Sequence, residues 1–282
     1  MRVADNTELE GKALFDYLVE NEKSIAETKM SSVIKSMPLI VDSRSDFFEK
    51  GIESVKIKTH HGKAEETEDP NGVNVKVVAN VCGWMDHDQD VLIAGAYDET
   101  VMNDKMYHLH DHIHKIIARV GIVKKVTIEN ISFSELGVSG VMGNTQALIF
   151  YTEIRKELNE SVFWQYKLKA VDQHSIGLRY QEIRMAINSA DYPVQYETWQ
   201  QYIGDVINRE DAEQRGYFWA VTKVKVYENS AVLFGSNELT PTLSTEETKS
   251  DTSSEEEVEN KDSETEKEQE QEEESTNHKL LL

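Results

Sequence analysis

One feature divides this chain before any secondary structure is considered. Between Glu246 and Glu274 lie 15 acidic residues and three lysines, a net of −12, with Val258 as the single large apolar residue. Such a run cannot bury enough surface to offset chain entropy, so it is expected to be disordered. Pro241, Thr242, Ser244 and Thr245 beside it have the composition of a linker. The formal net charge of the 282 residues is −22, with 52 acidic against 30 basic side chains. More than half of it therefore sits in the tail. The balance argues against nucleic-acid binding, which needs Lys and Arg on phosphates, and against docking on an anionic membrane. Cys82 is the one cysteine, which excludes a disulfide framework and a Cys-based zinc knuckle. No apolar run reaches the roughly 20 residues of a membrane span. The first residues lack the apolar core of a signal peptide. These features describe a soluble protein of a reducing compartment.

Residues 6–36 carry a helical stripe of Leu9, Leu14, Leu18, Ile25, Val33 and Ile34, opened by a Thr7/Glu10 capping box and stopped by Pro38. Beyond residue 53 the period falls to two. Val55, Ile57 and Thr59 alternate with lysines, Asp69-Pro70-Asn71-Gly72 signals a turn, and Val73, Val75, Val77, Ala79 and Val81 alternate again. Further strands are expected at 106–113, 116–129, 131–142, 174–186 and 217–234. Helices are expected near 97–102, 145–170 and 194–209. Strands dominate the centre without alternating regularly with helices. This favours an α+β domain with a mainly antiparallel, barrel-like core over a doubly wound sheet. The expected division is an N-terminal helical segment over 1–37, a β-barrel domain over 38–240, and the acidic tail over 241–282.

Three stretches carry side chains suited to chemistry. His108, His110, His112 and His114 alternate, so on one strand all four imidazoles would share a face. Imidazole is a common zinc ligand. Same-face strand neighbours stand about 7 Å apart, however, and rarely converge on one ion. The alternatives are a solvated polar strand or one histidine acting as a general base. Asp172-Gln173-His174-Ser175-Ile176-Gly177-Leu178 enters a strand, and its serine becomes a nucleophile only where a base reaches the hydroxyl. In Tyr227–Asn237 a carboxylate, Glu228, interrupts a strand-like run; if buried it needs a partner, and orienting a histidine is one such role. Asp86, Asp88 and Asp90 lack the glycine and glutamate of a calcium loop and read as a turn.

Taken in order, these stretches resemble the prohead proteases of tailed bacteriophages, a family similar in fold to the assembly proteases of herpesviruses. The likeness is carried by the D-x-D-x-D turn and the step Val91-Leu92-Ile93-Ala94-Gly95-Ala96-Tyr97, by Leu109-His110-Asp111, by Asp172–Leu178, and by Glu228, Ser230, Val232, Phe234 and Asn237. It spans roughly residues 75–240. The resemblance implies a serine endopeptidase that cleaves capsid-protein and scaffold segments inside the procapsid, in the host cytoplasm, with no cofactor and no metal. Ser175 would be the nucleophile, His110 the general base, with His112 as second candidate, and Glu228 the residue orienting the base. Implied partners are the major capsid protein and the scaffold protein, with self-cleavage and homo-oligomerisation as further expectations. The chain departs from the family pattern at Gln173-His174, at Gly235-Ser236, and at 187–216, which reads as an insertion. A catalytically inactive assembly protein that keeps the fold is the alternative.

Overall fold

A computed structural model describes residues 9–31, 71–97 and 105–247. Eight strands and four helices follow in the order α1 (Gly11–Ser31), β1 (Gly72–Val81), β2 (Asp90–Leu92), β3 (Tyr107–His110), β4 (Gly121–Ser132), β5 (Asn144–Arg155), α2 (Glu160–Lys167), β6 (His174–Ile187), α3 (Pro193–Tyr202), α4 (Arg209–Arg215), β7 (Tyr217–Ala231) and β8 (Thr242–Glu247). The class is α+β, as the mixture of periods implies.

The strands form two sheets and, among the described residues, no closed barrel. The first is antiparallel, in the order β4-β5-β1-β8. The second is built on β7, whose one edge pairs antiparallel with β6. Its other edge takes two short strands in parallel, β2 at Trp219–Val221 and β3 at Glu228–Ala231. Closure fails because β7 gives that edge to strands of three and four residues, which cannot carry the sheet onward. Alternation in β1 is read out in three dimensions. Val73, Val75, Val77 and Ala79 enter the main core with Leu148, Phe150, Phe163 and Val221, whereas Val78 and Val81 face a second cluster with Ile131 and Ile149. Each fully buried aliphatic or aromatic side chain of this kind contributes about 1.5–3 kcal/mol.

Several sequence expectations change. The stretch 145–170 is a strand followed by a short helix. β5 lies between β1 and β4 and buries both faces, so its apolar run has no period of two and imitates helical spacing. The two strands expected at 116–129 and 131–142 are the single β4 and a loop; β4 pairs with β5 from Gly121↔Ile154 to Ser132↔Asn144. Residues 242–247, expected as linker and tail, form β8. Val73 pairs with Glu247, Val75 with Thr245, and Val78 N–H donates to the Pro241 carbonyl (3.0 Å). The expected elements at 53–59 and 97–102 and most of the acidic tail lie outside the described residues.

The N-terminal helix packs on the sheet. Leu14 and Leu18 bury against Met185, Ile187, Tyr217 and Trp219. Lys29, near the end of α1, donates to both carboxylate oxygens of Asp90 (2.6 and 2.9 Å). The stretch 187–216 supplies α3 and α4. From α3, Gln195 reaches Glu22 (2.7 Å), and Tyr192 just before it reaches Asp16 (2.6 Å), so the segment read as an insertion holds α1 in place.

Candidate active site

The site lies where β3, β7 and β6 run side by side. Ser230 of β7 stands opposite Leu109 of β3 on one side and Ser175 of β6 on the other. Glu228 stands opposite Tyr107 and Gly177. Side chains two apart on a strand share a face. Glu228 and Ser230 share theirs directly, since Ser230 Oγ donates to Glu228 Oε2 (2.8 Å). A Cβ on Gly177 would collide with the Glu228 carboxylate, which places Ser175, two residues earlier, on that same face. The glycine is therefore required: it leaves the space that the carboxylate fills.

The histidine ladder does not survive as a strand. β3 stops at His110, and Asp111 and His112 both take left-handed backbone angles, φ 50° and 52°. Two consecutive non-glycine residues in this region are uncommon and persist only where their surroundings hold them. Here Asp111 N–H donates to the Ala231 carbonyl (3.0 Å) and His112 N–H to Ser230 Oγ (3.1 Å). The turn brings the His112 imidazole onto Glu228, with Nδ1 to Oε1 at 2.6 Å. Both side chains are almost fully enclosed, 3% and 2% exposed. His114 Nε2 stands farther off, 3.8 Å from the same oxygen.

The four histidines thus have four different surroundings. His110, expected as the base, places Nδ1 3.1 Å from Asp111, a mostly exposed carboxylate, and the imidazole held by Glu228 is that of His112. His108 points to the other side of the sheet. It is fully buried, with Nδ1 3.0 Å from Thr152 Oγ1 and Nε2 3.0 Å from the Tyr166 hydroxyl. Among the described residues no group of three or more His, Cys, Asp or Glu side chains is placed to hold a metal ion. His174, beside the serine, has both ring nitrogens engaged by the Thr240 carbonyl (2.8 Å) and the Tyr166 hydroxyl (2.9 Å), so it does not compete for the serine proton. Burial lowers its pKa to about 4.

Ser175 is 8% exposed and lines a small cleft of about 30 Å³ with Asn80, Asp86, Asp88, Tyr180 and Asn237. Burial and the neighbouring Asp90 charge push the Asp86 carboxyl well above its usual range. The chain leaving the site is apolar and exposed on both sides, at Ile116 and Ile117 after His112 and at Leu233 and Phe234 after β7. In chemical terms this is a buried carboxylate that fixes one imidazole through Nδ1, with a serine on the same sheet face. A carboxylate at Nδ1 selects the tautomer whose Nε2 accepts a proton, the arrangement general-base activation of a hydroxyl needs.

Sequence reasoning gave Ser230 no role of its own and ranked His112 behind His110. Ser230 is fully buried and joins the His112 backbone to the Glu228 carboxylate. Its spacing of two from Glu228 was the available signal. Nothing local announced the left-handed pair at Asp111-His112. No protein-family model matches this chain, and no curated protein or solved structure matches it. No helix among the described residues is long and apolar enough to cross a membrane.

Proposed function

We propose that this chain is a serine endopeptidase of capsid maturation, with Ser175 as nucleophile, His112 as general base and Glu228 as the residue that orients the base. His112 takes the position that the sequence pattern gave to His110. The carrying observation is the enclosed His112 Nδ1–Glu228 Oε1 contact of 2.6 Å, on the sheet face shared with Ser175. Ser175 Oγ attacks the scissile carbonyl carbon as His112 Nε2 takes the hydroxyl proton. The imidazolium passes that proton to the leaving amine, and an acyl-serine remains. Water then attacks the ester, giving its proton to His112, and the carboxylic acid leaves as Ser175 regains its hydrogen. Glu228 holds the ring through Nδ1 and faces the positive charge that forms on it. The exposed apolar residues on either side of the site suit an extended polypeptide substrate.

The sequence resemblance supplies the substrate class: capsid-protein and scaffold segments, cleaved inside the procapsid in the host cytoplasm. The test is co-expression with the cognate capsid and scaffold proteins. Ser175→Ala abolishes processing while the purified variant keeps the native melting temperature. Unchanged processing in that variant overturns the reading in favour of a non-catalytic assembly protein.

A further inference from the structure

Behind the candidate site, on the opposite face of the same three strands, lies a second polar assembly that the proposed chemistry does not use. Asn229 lies between Glu228 and Ser230 and faces the other way, with Nδ2 3.1 Å from His108 Nε2. His174, the neighbour of Ser175, also turns to this rear face and meets the same Tyr166 hydroxyl as His108. The assembly therefore takes one residue from each strand of the site, His108, Asn229 and His174. To these it adds Tyr166 of α2, Thr152 of β5 and Thr240 before β8. All six are more than nine-tenths buried.

The hydrogen bonds fix where the protons sit. The Thr240 carbonyl only accepts, so His174 carries its proton on Nδ1 and, as a neutral ring, accepts at Nε2. Tyr166 must then donate its single proton to His174. Its oxygen accepts from His108 Nε2–H, and His108 Nδ1 accepts from the Thr152 hydroxyl. The order is Thr152 to His108 to Tyr166 to His174 to Thr240, with opposite tautomers on the two histidines. A proton on His108 Nε2 also requires the Asn229 amide to be turned end for end, so that its oxygen takes the Nδ2 position and shares that proton. Burial disfavours a charge on either ring.

We infer that Tyr166 is a positioning residue for the candidate site: its hydroxyl joins His108 and His174 across the rear face and thereby holds Ser175, Glu228 and Ser230 in register on the front. Slipping a strand by one residue exchanges its faces, and here that would break the chain of hydrogen bonds as well as scatter the front residues. The inference deepens the peptidase reading, but its first readout does not depend on activity.

The experiment uses the full chain with ¹⁵N-labelled histidine. In the native protein, His174 is expected as the Nδ1–H tautomer and His108 as the Nε2–H tautomer, and the His112 Nδ1–H bonded to Glu228 gives a far-downfield proton resonance. Tyr166→Phe keeps the ring and removes the hydroxyl. In that variant the His112 resonance shifts or broadens, and labelling of Ser175 by a fluorophosphonate slows about ten-fold or more while the variant stays folded. An unchanged His112 resonance with an unchanged labelling rate overturns the inference, as does a native His108 carrying its proton on Nδ1. A native chain that shows the expected tautomers and a Tyr166-sensitive His112 resonance, yet is never labelled, overturns the peptidase reading and leaves the positioning role standing. If Tyr166→Phe does not fold, a native His108 that carries its proton on Nδ1 still overturns the inference.

Discussion

β7 carries a buried carboxylate assembly at each end, and the two solve the same problem with different partners. At the Glu228 end the carboxylate meets an imidazole and a serine hydroxyl. At the Trp219 end, the facing Asp90 of β2 meets the Lys29 ammonium and the Tyr180 hydroxyl. Asp90 is 1% exposed and Glu228 is 2% exposed, so neither can rely on water for its charge. A lysine keeps its proton through the physiological range. Lys29 therefore makes Asp90 a fixed staple that pins α1 to the sheet. An imidazole can gain and lose a proton near neutrality, so under the peptidase reading the same carboxylate chemistry serves to move one. On that reading the choice of partner, rather than burial, separates a structural pair from a reactive one.

The comparison breaks most sharply at His112. His112→Ala lowers the fluorophosphonate labelling rate of Ser175 by about 10⁶-fold, the scale of losing one member of a serine triad. His110→Ala leaves the rate within a few-fold. Equal losses from the two variants would remove the distinction between the imidazoles. At the other end the effect is on folding. Lys29→Met leaves the buried Asp90 without its cation beside Asp86 and costs about 3–5 kcal/mol of stability, read by urea unfolding, while native-state labelling of Ser175 persists. A loss below roughly 1 kcal/mol, the range of a surface pair, would show that Lys29 is not a staple.

Acid sharpens the contrast, because the two ends of the sheet respond with opposite signs. His174 has an unfolded-state value near 6.5 and a folded value of about 4. As the pH falls below 6.5 the unfolded chain takes up the proton first, and stability drops until the pH passes about 4. For His174 alone the loss is about 3 kcal/mol. Asp86 and Asp90 have folded values raised by burial. Their native forms take up protons before the unfolded chain does, and stability there rises as the pH falls. Urea midpoints at several pH values between 7 and 4, for the native chain and His174→Gln, separate the two. The variant shows a flatter acid limb; an identical limb would remove His174 as its cause.

These contrasts also explain what could be read from the sequence. β1 and β7 were legible because a stretch of each alternates: Asn74 and Lys76 open between buried valines of β1, and Lys225 and Tyr227 between the buried Val224, Val226 and Glu228 of β7. β5 was not, because a strand covered on both faces writes no alternation. β8 was not, because Thr242, Ser244 and Thr245 contribute backbone pairing to β1 and little apolar surface. In the candidate site, Ser175 and Glu228 were singled out through the order of the stretches that carry the family resemblance, and the structure sets them on one sheet face. The choice between His110 and His112 could not be read in this way: it depends on two left-handed residues whose stability comes from Ala231 and Ser230, about 120 positions away. Tyr166 was hidden for the same reason, being an ordinary helix residue until β3 and β6 bring His108 and His174 to its hydroxyl.

The pairing of β8 with β1 sets a boundary for any processing of the acidic tail. Cutting beyond Glu247 leaves β8 paired with β1. A cut between Thr240 and Thr242 would strip the outer strand from β1 and leave a row of unpaired backbone groups, the kind of open edge that recruits strands from other molecules. It would also detach β8 from the Thr240 carbonyl that holds the His174 ring. Shedding the tail without aggregation therefore confines cleavage to the last 35 residues of the chain.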